Sequence, residues 1–514
     1  MILKIASTIG SLTFLSRILG YFRDFLFAKY FGASFISDSF FVAFKLPNLF
    51  RRLFAEGAMN SAFVPVLSGI QVKKGGLEAT IFLTKILSIT FLALLPLVII
   101  IEIFMPLLIN IIAPGFNESP EKFNLTVLLS RITFPFLIFV SLSSLIGGFL
   151  STINKFAAMA FTPVILNLTI ILTLLYFGSF NIIGYELTIF CAYAISFAGI
   201  LQLIWLIFHL YKNGVLLKFK YFYNKKILEI TEPTKKLFKL FLPAVIGNGI
   251  YQLNLLIDMV LASTLPSGSI SYLYFSDRIN QLPLGVLGIS ISTALLPLLS
   301  KQLKEKKISQ SKKTMNECLM LCFLISIPAT FGIFLVSDQL LEILFVRGEF
   351  SLKDARLTGM SLRALCLGLP AFILIKVLSV IFFSREDTKT PVKVGFIALL
   401  ANLFFNLLLI DEYKHVGLAF ATSISAWLNV IILYFILRKR GVIEIKKNTI
   451  EILLKSLLSS VLMYFLLNEA IHKYLIADSF LAKFSLLGII IMFGVILYIF
   501  FLYLLRTSYL KIKR

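Results

Sequence analysis

Stretches of about twenty apolar residues recur from one end of this chain to the other, and they set the first constraint on its fold. "LSITFLALLPLVIIIEIFMPLLINIIA" and "SLLGIIIMFGVILYIFFLYLL" are two of them. A helix of that length crosses the roughly 30 Å hydrocarbon core of a bilayer. In that solvent the backbone must satisfy its own hydrogen bonds, which leaves helices or closed barrels. Barrel strands alternate polar and apolar residues, and these runs do not. The expected class is therefore an all-α polytopic membrane protein. Composition agrees, with 59% hydrophobic and 15% charged residues among 514 and a mean hydropathy of +0.94.

We place about fourteen spans, at 8–31, 36–67, 79–112, 125–152, 158–178, 186–210, 240–263, 270–299, 314–344, 357–383, 393–410, 416–437, 450–468 and 484–505. The start "MILKIASTIG" lacks the features of a cleavable signal peptide. The net charge of +23 is distributed by side. With the N-terminus in the cytoplasm, that side holds 30 Lys and Arg. The opposite loops hold Lys122, Arg347, Lys353, Arg356, Lys414, Lys473 and Lys483, and the spans hold the other 12 of 49. The positive-inside rule then puts both termini in the cytoplasm. The excess charge orients the chain and meets anionic lipid; no nucleic-acid partner is expected.

The chain repeats. "SAFVPVLS" returns as "STALLPLLS" and "FTPVILNL" as "KTPVKVGF", with Pro65 and Pro297, then Pro163 and Pro391, at nearly constant separation. Six spans lie between equivalent points, so the copies are parallel, an arrangement of transporters with a site between halves. The expected organisation is an N-terminal lobe (1–212), a basic linker (213–239), a C-terminal lobe (240–440), and two further helices with a basic tail (441–514).

Charges inside the spans point to that site. An arginine at the bilayer centre costs at least about 2.5–3.5 kcal/mol, so such residues face water or each other. The first span carries Arg17, Arg23 and Asp24, the second Asp38, Lys45, Arg51, Arg52 and Glu56, and the eighth Asp277 and Arg278. On a regular helix Arg17 and Asp24 share a face, and Asp38, Lys45, Arg52 and Glu56 form one stripe. Pro47 interrupts that regularity, and Gly20, Pro47 and Gly57 are the expected hinges. Arginines outnumber acids, so a central cationic cavity for an anionic substrate is expected. Guanidinium forks match phosphate oxygens in pairs of hydrogen bonds. Asp24, Asp38 and Glu56 are candidate counter-ions or ion-coupling groups.

Cys191, Cys318, Cys322 and Cys366 read as core side chains, with no metal expected. His209, His415 and His472 lie near loops, and no clustered acids suit a magnesium-bound pyrophosphate, so an enzyme is not expected.

"SRILGYFRD", "SDSFFVAFKLPNLFRRLFAEGAMNSAFVPVLS", "FSDRINQLPLGVLGISISTALLPLLS" and "LFVRGEF" resemble the MurJ/MviN family of lipid II flippases in the MOP exporter superfamily, over about residues 5–505. The resemblance implies inward-to-outward transport of an undecaprenyl-pyrophosphate-linked disaccharide-pentapeptide in the bacterial inner membrane. It implies two six-helix lobes around a cationic cavity, and a groove for the lipid tail at the last two helices. It marks Arg17, Arg23, Asp24, Asp38, Arg51, Glu56, Ser271 and Arg278. Gln281 stands where some members carry an acid. Lipid II, membrane lipids and cell-wall synthesis and division proteins are the implied partners of a monomer. No cofactor is expected, and coupling to the membrane potential or a monovalent ion is. Other members of the superfamily offer two alternatives, an O-antigen-type polysaccharide flippase and a multidrug/cation antiporter.

Overall fold

The structure, a computed structural model, describes residues 2–52, 59–217, 231–474 and 480–507. Among them every regular element is helical, and the chain divides into two compact units, Met1–Gly268 and Ser269–Arg514.

The first unit contains α1 (Ile2–Phe31), α2 (Phe35–Phe50), α3 (Asn60–Lys74), α4 (Gly76–Ile103), α5 (Met105–Ile112), α6 (Pro120–Thr133), α7 (Phe136–Thr152), α8 (Phe156–Ala160), α9 (Thr162–Ser179), α10 (Gly184–Lys212) and α11 (Glu232–Ser263). Helix α1 packs on α9, α2 on α6, and α10 on both α7 and α9. The approach of α1 to α9 is close enough that a Cβ at Gly178 would collide with the Tyr30 hydroxyl. Ser34 caps α2 reciprocally with Ser37, fixing where the helix starts after the turn at Gly32. Small hydroxyl residues line the α2–α6 contact, where Thr133 donates to the Ala43 carbonyl, as suits helices packing without a hydrophobic drive.

The second unit contains α12 (Ser269–Pro283), α13 (Ile289–Lys304), α14 (Ile308–Phe345), α15 (Leu352–Cys366), α16 (Leu369–Phe383), α17 (Lys389–Lys439), α18 (Lys447–Tyr474) and α19 (Phe480–Leu504). Helix α14 is its spine and packs against α15, α16, α18 and α19. Helix α17 breaks at Lys414 (φ 50°, ψ −131°), which separates the expected spans 393–410 and 416–437. Gly417 is required beside the break, because a Cβ there would lie 2.6 Å from the Leu409 carbonyl oxygen.

Eight helices among the described residues are long and apolar enough to cross a membrane, and nine with the bent pair Leu352–Cys366 and Leu369–Phe383. The protein is a multi-pass helical membrane protein. Length and apolarity alone do not establish the fourteen spans read from the sequence. Apart from the two halves of α17, the spans that miss this test are the first, second, seventh and eighth. Three of these hold the charges singled out above.

The repeat has a backbone counterpart. Pro47 precedes π-helical turns at Arg51 and Arg52, and Pro283 precedes a π-helical segment, Leu284–Gly288. Proline removes an i→i−4 bond and wider turns absorb the misfit. The regular helix expected over 36–67 is thus interrupted after Phe50. Helix α1, in contrast, runs unbroken through Gly20. The compact units divide at Gly268, so α11 is described with the first unit; the lobe limits remain a reading of the sequence repeat.

Candidate functional site

In the first unit the central feature is Arg23, 5% exposed, beside Asp24 at 2%. The arginine donates from Nε (3.0 Å) and Nη2 (2.6 Å) to Asp24 Oδ1, and from Nη1 to Asn167 Oδ1 on α9 (3.0 Å). Asn167 in turn donates from Nδ2 to the Ser16 carbonyl. The guanidinium carbon lies 5.9 Å from the ring centroids of both Phe27 and Phe44. A buried charge survives only when paired and hydrogen-bonded, and this one is both. Arg17 is exposed and joins no ion pair among the described residues. The i,i+7 spacing therefore does not pair Arg17 with Asp24: the adjacent Arg23 folds its fork back onto that carboxylate while α9 covers it.

The second stripe dissolves for a related reason. Asp38 is 1% exposed and pairs with Lys122 of α6 at 3.0 Å. Lys45 donates to the Leu255 carbonyl (3.1 Å). Arg51 is half-buried with Nε on Asn48 Oδ1 (3.1 Å), whereas Arg52 is exposed. Once π-helical turns replace α-helix at 51 and 52, regular spacing no longer predicts a common face. Glu56 and Gly57 lie outside the described residues.

In the second unit Arg278 is half-buried, with Nη2 bonded to the Tyr274 hydroxyl (2.9 Å) and the guanidinium 4.8 Å from the Tyr274 ring centroid. Asp277 is exposed and accepts from Gln281. Ser271 is fully buried. The residues that sequence reasoning missed are Lys122, which was counted with the outer loops, and Asn167, Phe116 and Tyr274. Only Lys122 left a signal: a cation in the first turn of a helix opposes the helix dipole and needs a partner. A groove of about 490 Å³ between α9 and α10, lined by Thr173, Phe177, Phe190, Tyr193 and Phe197 among others, carries none of the predicted site residues.

The last two helices are tied to α14 at three levels. Asn316 donates to the Glu444 carbonyl and accepts from Lys446 N and the Thr449 hydroxyl. Tyr498 donates to the Leu324 carbonyl (2.7 Å) and bonds Ser456. Lys483 pairs with Glu342 at 2.7 Å. Between these ties lies an apolar seam that includes Leu335, Ile343, Met463, Leu467 and Leu487.

The model of the family described as Lipid II flippase MurJ matches residues 27–504. A Rickettsia prowazekii (strain Madrid E) protein named "Probable lipid II flippase MurJ" is 40% identical over 502 residues, 96% of each chain. The chain belongs to the lipid II flippase MurJ family. A protein of the same name from Haemophilus influenzae is 38% identical, covering 88% of this chain and 89% of its own. A solved structure titled "Lipid II flippase MurJ, inward closed conformation" superposes with TM-score 0.79 at 31% identity, over 96% of this chain and 97% of its own. An inward-facing multidrug resistance MATE transporter of the MOP superfamily reaches TM-score 0.66 at 13% identity, covering 85% of this chain and 98% of its own, and shares the fold alone. MurJ-family membership makes this chain a transporter and not an enzyme.

Proposed function

We propose that the protein moves lipid II, the undecaprenyl-pyrophosphate-linked disaccharide-pentapeptide precursor of peptidoglycan, from the inner to the outer leaflet of the bacterial inner membrane. The observation that carries this reading is the 40% identity across 96% of both chains to a relative named for that activity. The charges give it a physical basis. Arg17 and Arg52 are exposed, Arg51 and Arg278 half-exposed, and all are retained in apolar surroundings where a cation is costly. In our reading these arginines, with Arg23, serve the pyrophosphate in a central cavity, and Ser271 and the acids Asp24, Asp38 and Glu56 support them. Arg23 commits three donors to Asp24 and Asn167 in this conformation, so it organises the site more than it offers a free fork.

Both termini face the cytoplasm, α18 and α19 provide the groove for the lipid tail, and alternating access proceeds by rocking of two lobes. The breaks after Pro47 and Pro283 absorb the bend. The protein works as a monomer without a cofactor, is driven by the membrane potential or a monovalent ion, and meets cell-wall synthesis and division proteins at the membrane. Depletion of the protein in its host, followed by assay of lipid-linked intermediates, tests the reading. Accumulation of lipid II on the cytoplasmic face is the expected result, and accumulation of a different polyprenyl-linked sugar instead overturns it. Orientation has its own test. Cysteines at the exposed positions Ser119 and Asp411 should react with an impermeant maleimide from outside, and those at Gly75 and Ser309 should not.

A further inference from the structure

Asp38 sits in a socket assembled from three separate segments of the first unit. Its Oδ2 accepts from Lys122 Nζ at 3.0 Å and from the backbone N–H of Gly268 at 2.8 Å. Lys122 is the third residue of α6 and is 5% exposed, and its ammonium lies 4.0 Å from the ring centroid of Phe116, a side chain that is 1% exposed. Phe116 belongs to a 3₁₀ turn, Pro114–Glu118, pressed against the end of α11. There Gly115 N donates to Ser263 Oγ (3.3 Å), and a Cβ at Gly115 would lie 2.3 Å from the Ser263 carbonyl oxygen.

Lysine is among the residues least often fully buried, and the first turn of a helix is the wrong end for a cation. Both costs are met here by one carboxylate and one aromatic face. Lys122 lies too deep to serve as an orienting surface charge.

We propose that Lys122 is a positioning residue for transport. It sets the Asp38 carboxylate so that Oδ2 retains the Gly268 N–H, tying the amino ends of α2 and α6 to the last residue of the first unit. Lys122 acts through Asp38 and does not touch the substrate. The inference rests on the lipid II reading only for its transport measurement.

The test uses the full-length chain with Lys122→Met, Lys122→Arg and the neutral pair Asp38→Asn/Lys122→Met, reconstituted in vesicles containing lipid II. Loss of positioning lowers turnover by about 10-fold or more in Lys122→Met while KM stays within about 2-fold, because no substrate contact is removed. Lys122→Arg restores at least part of the turnover. The neutral pair leaves no uncompensated buried charge, so it accumulates to wild-type levels even if Lys122→Met does not, yet transports as slowly. Wild-type turnover by the neutral pair, or a raised KM with unchanged turnover in Lys122→Met, overturns the proposal.

A second readout is independent of the substrate. A cysteine at the buried Ala113, in a chain lacking its four native cysteines, should be alkylated faster in the neutral pair than in the wild-type background. An unchanged rate also overturns the proposal. If the wild-type protein moves no lipid II, the flippase reading fails while alkylation still reports on Lys122.

Discussion

Helices α1 and α2 of the first unit and α12 of the second hold their charges in opposite ways. In the first unit Arg23 and Asp24, and Asp38 and Lys122, are buried as closed pairs with further bonds to Asn167 and to the Gly268 backbone. In the second, Arg278 leans on the ring and hydroxyl of one tyrosine and Asp277 stays exposed. The proline followed by π-helical turns is common to both second helices of the repeat, whereas the charge chemistry is not. The two helices share the bend and differ in the side chains around it. The Arg23–Asp24 and Asp38–Lys122 pairs are built into the packing of the first unit, whereas in the second Arg278 is half-buried and Asp277 exposed.

The sharpest way to break this contrast is Asp24→Ala. It removes the carboxylate that accepts from Arg23 Nε and Nη2 in a buried pair, a loss of about 3–5 kcal/mol. Thermal unfolding in detergent should fall markedly, and transport with it. Replacing both partners, Arg23→Met with Asp24→Leu, should recover much of the stability but not transport. Full transport by that double variant would reduce the pair to packing.

Asn167→Ala comes next. It removes the acceptor of Arg23 Nη1 and the donor to the Ser16 carbonyl, at about 1–3 kcal/mol for the buried bonds lost. The same thermal measurement reads it. In the second unit Tyr274→Phe should cost less, about 0.5–1.5 kcal/mol, because Arg278 keeps the ring and part of its solvation. If Tyr274→Phe destabilises more than Asn167→Ala, the contrast between the units is wrong.

The smallest effect lies in the turn between α16 and α17. Hydrogen bonds from Arg440, then Thr390, lower the Asp387 carboxyl to about 2. A depressed carboxyl stabilises above its ordinary value, near 3.9, and loses that contribution as pH falls through about 2. Melting temperatures of wild type and Asp387→Asn should therefore differ slightly but constantly between pH 7 and 5, narrow below about pH 4 and converge near pH 2. Because Arg440 is half-exposed, the difference is small.

The helical class and the repeat were legible because apolar length and proline spacing are properties of the chain itself. So was the singling out of Arg23, Arg278 and Asp38, since an ionisable group in an apolar run is conspicuous wherever it points. Their partners were not legible. Periodicity assumes straight α-helix, and it failed where Pro47 gives way to π-helical turns. It is also blind to neighbours on other helices, which is why Asn167, 144 residues from Arg23, went unseen. Lys122 was counted only as a charge on one side, because such a count cannot register a lysine folded under a phenylalanine.

The central claim is that Arg17 and Arg278 act on a pyrophosphate-bearing lipid through their planar forks, while Arg23 uses its own to hold Asp24 and Asn167 in the site. The direct measurement is the appearance of lipid II on the outer face of cells depleted of the wild-type protein and supplied with Arg17→Lys, Arg23→Lys or Arg278→Lys. Lysine keeps the charge and loses the fork. The account predicts that all three lysine variants accumulate to normal levels but move lipid II nearly as poorly as the corresponding alanine variants. Normal outer-face lipid II with lysine at all three positions would contradict it.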